Sequence, residues 1–191
     1  MIIHRMIAAL SLIGFISTIA IAAGETVEMG PASVSIDLED LGPYAVEMDD
    51  PYSLDHNYDP MNADFQYTIY PARIKFEDSS NQVLLEVHQM SASQPLETTI
   101  SKKDTITGLE HCLEQADMMP RRADVQMEPY AVEGHEGILA AVDIGEDNPL
   151  YIVAYSPDQE DGSGTIACIV GSSFPWETTK SIIASIGTQM A

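Results

Sequence analysis

Three acidic side chains lie close together in the segment DQEDGSG, at Asp158, Glu160 and Asp161. Carboxylate oxygens at this density are the ligands that calcium prefers. An EF-hand loop counted from Asp158 would need a glycine at its sixth position, where the chain has Ser163, and helices on both sides. The flanking residues are apolar and typical of strands. The segment is therefore interpreted as a hairpin turn, with a cation site as the alternative hypothesis.

A second cluster of possible ligands lies in the segment EGHEG, at Glu133, His135 and Glu136. Two carboxylates and an imidazole are ligands that a transition metal accepts. The same residues also suit a polar turn in which Gly134 adopts a positive φ. The turn is the favoured interpretation, and a metal site at the hairpin tip is the alternative.

A catalytic site could be assembled only from residues scattered along the chain, such as His88, His135 and Ser173. The chain has no His-Glu-x-x-His motif, no paired-cysteine zinc spacing, no Gly-x-Ser-x-Gly elbow and no glycine-rich phosphate loop. The sequence therefore predicts no catalytic residue and no cofactor. A small extracytoplasmic hydrolase is kept as an alternative function.

The two cysteines, Cys112 and Cys168, could form one disulfide if the chain is secreted. On the chain-entropy model this bond would close a loop of about 57 residues and stabilise the fold by roughly 4 kcal/mol. The alternative is a pair of buried thiols that pack as small apolar side chains. The disulfide is the favoured prediction.

The N-terminal residues 1–24 contain one permanently charged side chain, Arg5, and are otherwise uncharged and mostly apolar. This pattern predicts a signal peptide, for which Ala20 and Ala22 supply the small residues before a cleavage site. The alternative is an uncleaved membrane anchor. Both place residues 25–191 outside the cytoplasm as one globular domain, either secreted or tethered to the outer face of the membrane.

The charge balance narrows the possible partners. The chain has 30 acidic and 8 basic residues, a formal net charge of −22. Such a charge repels nucleic acids and anionic lipids, so membrane contact is expected only through the N-terminal segment. An acidic stretch without lysine or arginine, from Glu25 to Ala72, is a solvated face or a surface for divalent cations or a basic partner. The leading hypothesis is a non-enzymatic binding or accessory domain with a protein or cell-surface partner, and the alternatives include a calcium-dependent interaction module.

Hydrophobic periodicity predicts the elements that would position these residues. Apolar patterning predicts strands over 32–38, 44–48, 65–76, 82–90, 125–132, 135–145, 149–156 and 164–172. Pro71 marks an edge position or a bulge at which the phase of the alternation shifts. The first two of these strands are predicted to be joined by a turn at 40–43, and 52–64 is predicted to be a surface loop. Turn residues at 78–81 predict an antiparallel hairpin of the strands 65–76 and 82–90. Helical spacing predicts helices over 101–116 and 175–186, the second stopping at Gly187.

These elements predict an α+β domain in which helices cover an antiparallel sheet. The opening strands, the mid-chain helix, the segment YAVEGHEGILAAVD with its glycine turn, two long final strands and the closing WETTKSIIASI follow a known order. Over residues 32–187 this order resembles the Mog1/PsbP-like fold, an α-β-α sandwich of small secreted or lumenal proteins. The resemblance implies a binding or accessory role, with cation binding in some members, and it transfers no functional residue.

Overall fold

The computed structural model describes residues 24–58, 63–96, 125–143, 149–157 and 162–191. These ranges contain eleven strands, one α-helix and one 3-10 turn, Glu39–Leu41. The strands are β1 Glu25–Met29, β2 Ala32–Ile36, β3 Tyr44–Met48, β4 Tyr52–Tyr58, β5 Ala63–Phe76, β6 Gln82–Leu96, β7 Val125–Val132, β8 His135–Val142, β9 Leu150–Tyr155, β10 Gly162–Ser172 and β11 Gly187–Met190, and the helix is α1 Trp176–Ala184.

The strands form two antiparallel sheets. The small sheet has the order β1-β2-β11, and the large sheet has the order β3-β5-β6-β10-β9-β8-β7, with β4 also paired to β5. Successive side chains of a strand point to opposite faces, so the register assigns each residue of the large sheet to one of two faces. Face A carries Val83, Leu85, Val87, Val153 and Tyr155, and face B carries Leu84, Glu86, His88, Ile152 and Ala154.

The small sheet and α1 pack on face A of the large sheet. The ring of Phe174 meets the ring of Phe76 edge-on, with centroids 4.9 Å apart. Trp176, at the start of α1, lies against Tyr151 with a centroid distance of 5.1 Å. The inward side chains of the small sheet alternate with exposed or half-buried ones, which is the pattern expected where one sheet face is covered. One part of the core therefore lies between face A and this second layer.

Polar contacts also join the two layers. The Tyr44 hydroxyl donates to the Glu25 carboxylate at 3.1 Å, linking β3 to β1. Burial, followed by this hydrogen bond to a negative acceptor, raises the pKa of Tyr44 to about 12. The phenol is therefore neutral at physiological pH and remains a hydrogen-bond donor.

The predicted α+β class and the resemblance to the Mog1/PsbP-like α-β-α sandwich are wrong, because the described residues form a mainly β fold with a single short helix. A second sheet provides much of the layer that helices were expected to provide. That sheet joins β1 and β2, near the start of the described chain, to β11 at its end. The predicted helix over 101–116 lies outside the described residues.

The loop predicted over 52–64 is also wrong, because Tyr52–Tyr58 forms β4 and pairs with β5. Asp, Asn and Pro favour turns through local hydrogen bonds and backbone restriction. Strand propensity depends strongly on pairing and packing, so an available edge on β5 can override these local preferences. The hairpins predicted around 78–81 and 133–134 are confirmed as β5–β6 and β7–β8.

The turn predicted at 40–43 does not pair the strands that it joins. The strands themselves are confirmed, but β2 belongs to the small sheet and β3 to the large sheet. The connection between them contains the 3-10 turn and carries the chain from one layer to the other.

The phase shift predicted at Pro71 is confirmed. Buried positions change from Tyr67 and Ile69 to Ala72 and Ile74, while the register between β5 and β6 continues without a bulge. The Pro71 carbonyl accepts from the Asp49 amide at 3.3 Å, so the proline nitrogen also points toward the β3 and β4 side. Because this position lies between those two strands, the missing N–H removes no bond to β6.

The predicted C-terminal helix is confirmed as α1, which buries Thr179, Ile182 and Ile183. Gly187, predicted as the stop signal, instead begins β11. A Cβ at this residue would lie 2.5 Å from the Ser35 hydroxyl oxygen, which donates to the Gly187 carbonyl at 3.0 Å. A larger residue here would displace the Ser35 hydroxyl and its hydrogen bond between β2 and β11.

Substitution of Gly30 tests how closely the small sheet packs on face A of the large sheet. It has a φ of 64°, and a Cβ would lie 2.4 Å from the ring of Tyr70, whereas Gly134, with a φ of 85°, has no atom within 4 Å of that position. We expect Gly134→Ala to lower the free energy of unfolding by about 1 kcal/mol through backbone strain, and Gly30→Ala by about 2 kcal/mol or more. Urea unfolding measures both variants, and equal losses would contradict the close packing at Tyr70.

Candidate functional site

A buried acid and a buried histidine contact each other at the centre of the large sheet. Glu86 and His88 lie two residues apart on β6, so both point to face B. The Glu86 Oε2 and His88 Nε2 atoms are 2.6 Å apart, and the residues are 1% and 2% exposed. This is a short hydrogen bond of the kind that charged partners form.

The strands beside this pair place mainly apolar residues around it. Pro71 lies opposite Glu86 and Ile69 opposite His88 on β5, while Ile169 and Ala167 occupy the same positions on β10. A carboxylate that orients an imidazole is one part of a nucleophile-base-acid triad. A nucleophile and access for a substrate would also be required for that chemistry.

Neither of the two serines considered, Ser156 and Ser173, is placed beside His88 in the described part of the chain. Ser156 is on the same face and in the same row, but the intervening β10 separates their backbones by roughly 10 Å. The Ser156 hydroxyl donates to the Ile166 carbonyl at 2.8 Å. Ser173 instead accepts from the Gln82 amide at 2.9 Å, at the opposite end of β10. The alternative catalytic site of His88, His135 and Ser173 is therefore not assembled by these residues.

The residues of the EGHEG segment form a structural turn. Glu133 and Gly134 have φ values of 53° and 85°, as a tight two-residue hairpin requires. The Glu133 carboxylate accepts from the Thr188 amide at 3.0 Å, which ties the turn to β11. His135 stacks on Tyr155, with centroids 6.4 Å apart, while Glu136 lies on face B. The three predicted ligands do not converge.

Tyr155 completes this link between the layers. Its hydroxyl lies 2.6 Å from the hydroxyl of Thr188. Burial and then the neighbouring Cys168 raise the pKa of Tyr155 well above its usual range, so the phenol stays neutral. The Glu133–Thr188–Tyr155 contacts join the β7–β8 turn, β9 and β11, and they account for the position of the turn without a ligand.

The other predicted site residues fall partly outside the described ranges. Asp158, Glu160 and Asp161 lie outside them, but the flanking β9 and β10 are antiparallel strands, so an EF-hand with its two helices is excluded there. Cys168 is buried on face A, and Cys112 lies outside the described residues, so their disulfide stays a prediction. No group of three or more His, Cys, Asp or Glu side chains that could hold a metal is found in the described part of the chain.

An acidic cleft lies between the 3-10 turn and α1. Its volume is about 410 Å³, and its acidic side chains are Asp37, Glu39, Asp40 and Glu177. All four carboxylates are exposed to solvent, and no lysine, arginine or histidine lines the cleft. Because like charges are held around one cavity, the cleft concentrates negative potential.

The floor of the acidic cleft is apolar and its walls are fixed. Leu38 and Ile182 line it and are each 2% exposed. The Asp37 amide donates to the Ser185 hydroxyl at 3.0 Å, and that hydroxyl donates to the Ile182 carbonyl at 2.7 Å. These bonds hold the two walls together although they are far apart in sequence. An apolar floor below exposed carboxylates matches a lysine or arginine side chain, whose stem is apolar and whose head is cationic.

Sequence reasoning missed both the acidic cleft and the role of Glu86. A charge inside the apolar run LLEVH, two residues before a histidine, was a visible signal for the buried pair. The acidic stretch before Ala72 indicated a cationic partner only in general terms. It could not show that Glu177 joins Asp37 and Asp40.

Comparisons of the chain with protein-family models, with curated proteins and with solved structures find no match. Across the described ranges, no helix has the length and apolar character needed to span a membrane.

Proposed function

We propose that the protein is a non-enzymatic binding domain that acts outside the cytoplasm and holds a lysine- or arginine-bearing segment of a partner protein in the acidic cleft. The observation that carries the proposal is the set of four exposed carboxylates above the floor of Leu38 and Ile182. Charged groups around such a site attract an oppositely charged partner and align it before contact.

The chemistry of the cleft favours an organic cation over a metal ion. Calcium takes six to eight oxygen ligands at 2.3–2.6 Å. The described residues offer no group of carboxylates close enough for such coordination, whereas separated carboxylates suit a guanidinium or ammonium head. The apolar floor adds contact with the side-chain stem, which a bare ion cannot use.

The alternative of a hydrolase has less support from the geometry. Glu86 and His88 are buried, and Ser156 and Ser173 are committed to backbone groups. The formal charge of −22 also favours a basic partner and opposes nucleic acids.

A charge-neutralising variant tests the acidic cleft. We expect the combined change Asp37→Asn, Asp40→Asn and Glu177→Gln to weaken binding of an alternating arginine–glycine pentapeptide by about tenfold or more at low ionic strength. The amides preserve side-chain size, and asparagine at position 37 can still accept from the Glu39 amide. Isothermal titration calorimetry measures the affinity.

A control variant removes three negative charges from positions outside the acidic cleft. Glu28, Glu128 and Glu136 are exposed and lie outside the cleft, so their combined change to glutamine is expected to weaken binding less than about twofold. If both triple variants weaken binding equally, attraction is a property of the net charge and the proposed site is wrong. Failure of the unmodified protein to bind the peptide at millimolar concentration would equally reject it.

A further inference from the structure

Three aromatic side chains form a cluster where α1 meets the outer strands of the large sheet. The ring centroid of Trp176, at the start of α1, lies 5.1 Å from that of Tyr151 on β9 and 6.4 Å from that of Tyr130 on β7. All three side chains are half-buried and pack against the core. Within the described part of the chain, neither their two hydroxyls nor the indole N–H has a hydrogen-bond partner. Since tyrosine and tryptophan usually satisfy these groups when buried, the polar heads of the cluster are open to solvent or to a ligand.

A recess lies beside this cluster on face A. Gln126, Ala141 and Tyr151 are side by side on β7, β8 and β9, and their side chains point to the same face. Ala141 is half-buried and contributes only a methyl group, so it forms a low floor between the Tyr151 ring and the exposed amide of Gln126. Because the Trp176 ring packs against Tyr151, it adds a second aromatic wall. We call these four residues the aromatic recess.

The aromatic recess lies on the opposite flank of α1 from the acidic cleft. At about 100° per residue, Trp176 and Lys180 are on one side of α1. Ser181 and Ser185, which line the acidic cleft, are on the other side. A ligand in the aromatic recess therefore binds independently of a peptide in the acidic cleft.

The charges beside the aromatic recess cancel. Lys180 is exposed and lies one turn after Trp176, while Glu128 is exposed on the same face of β7 as Gln126. The walls and floor of the recess carry no charge. In a chain with a formal net charge of −22, this local balance favours a neutral ligand over a peptide cation or a metal ion.

We propose that the aromatic recess binds the ring of a neutral hexopyranose within an oligosaccharide. A pyranose with equatorial hydroxyls has two faces of axial C–H groups, and their partly positive hydrogens pack on the negative face of an aromatic ring. The hydroxyls at the edge of the sugar meet polar groups at the edge of the recess. There the Gln126 amide can donate and accept, and the Trp176 N–H and the Tyr151 hydroxyl can donate.

Fluorescence of the full chain tests the proposal, because Trp176 is its only tryptophan. The probes are three neutral oligosaccharides, namely cellohexaose, laminarihexaose and mannohexaose. At least one is expected to bind with a dissociation constant below about 1 mM and to protect the Trp176 ring from quenching by acrylamide. Failure of all three to protect the ring at millimolar concentration overturns the proposal. Tighter binding of hexagalacturonate, an anionic oligosaccharide of the same length, would also overturn it.

Two variants that keep the tryptophan locate the bound sugar. Tyr151→Leu keeps an apolar side chain but removes the ring face and the hydroxyl, so it is expected to weaken binding by about tenfold or more. Gln126→Ala removes an exposed amide that contributes nothing to the core, and it is expected to weaken binding by about threefold or more.

Tyr70→Leu is the matched control, since it removes a half-buried tyrosine from face A on the distant strand β5. It is expected to change the affinity for the sugar by less than about twofold. Equal losses in Tyr151→Leu and Tyr70→Leu would overturn the proposed site. Full affinity in Gln126→Ala would do the same, and that variant remains decisive if Tyr151→Leu does not fold.

Discussion

Replacing Glu86 alone with leucine will lower the free energy of unfolding by about 3–5 kcal/mol, because His88 then loses the carboxylate that accepts its hydrogen bond inside the sheet. His88→Leu alone is expected to have a similar effect, since the buried carboxylate of Glu86 then loses its contact with the imidazole. The residues are 1% and 2% exposed, so water cannot replace the missing partner.

The double variant Glu86→Leu, His88→Leu separates the pair from its two members. It removes both polar groups together and restores an apolar row, so its stability is expected within about 1–2 kcal/mol of the unmodified protein. The two single losses should therefore be strongly non-additive in a double-mutant cycle measured by urea unfolding. Additive losses would show that the two side chains do not depend on each other.

A surface pair on the same sheet provides the control. Lys75 and Glu47 are 2.7 Å apart, but their side chains are 47% and 51% exposed. Glu47→Leu is expected to cost less than about 1 kcal/mol, because solvent screens the interaction and hydrates the remaining amine. A loss at Glu47 as large as that at Glu86 would mean that burial does not set the strength of the pair at the centre of the sheet.

This contrast bears on function as well as stability. A catalytic histidine must reach its substrate, whereas His88 is buried and contacts a carboxylate two residues away. The acidic cleft has the opposite properties, since its charges are exposed and have no basic neighbour among the lining residues. The exposed carboxylates of the acidic cleft therefore support a binding role better than the buried Glu86–His88 pair supports a catalytic one.

The parts of the fold that could be predicted from the sequence are those made by local pairing. The β5–β6 and β7–β8 hairpins follow from alternating residues on either side of turn residues, and both are confirmed. The place of β11 in the small sheet could not be predicted in this way, because Ser35 and Gly187 pair across most of the chain. A four-residue strand such as β11 has no periodicity of its own, and its pairing depends on the surface of β2.

For the site residues too, local features could be predicted from the sequence and long-range contacts could not. The Glu133–Gly134 turn was predicted from local chemistry, but its bond to Thr188 depends on the position of β11. The acidic cleft joins residues near 37–40 to Glu177, and only the packing of α1 beside the 3-10 turn brings them together. Charge counting could therefore predict the sign of a partner but not the location of its site.

The change Phe174→Ala is expected to destabilise the protein by about 3–5 kcal/mol, because it leaves a cavity where α1 joins face A. Phe174 is 7% exposed, and its ring meets Phe76 at 90°, the edge-to-face arrangement that aromatic pairs prefer. For a domain of this size the melting temperature should fall by roughly 10 °C. Differential scanning calorimetry measures the shift.

Phe174→Leu is the matched control, since it keeps most of the apolar volume and is expected to cost less than about half as much. A double-mutant cycle with Phe76→Leu then isolates the ring contact, which should contribute about 0.5–1.5 kcal/mol beyond burial. If Phe174→Ala costs under about 1 kcal/mol, Phe174 does not anchor the second layer. Phe174 lies just before α1, which forms one wall of the acidic cleft, so Phe174→Ala should also weaken peptide binding there. If the variant loses stability but binds the peptide as before, the hydrogen bonds of Ser185 and Thr179 hold α1 at the cleft instead.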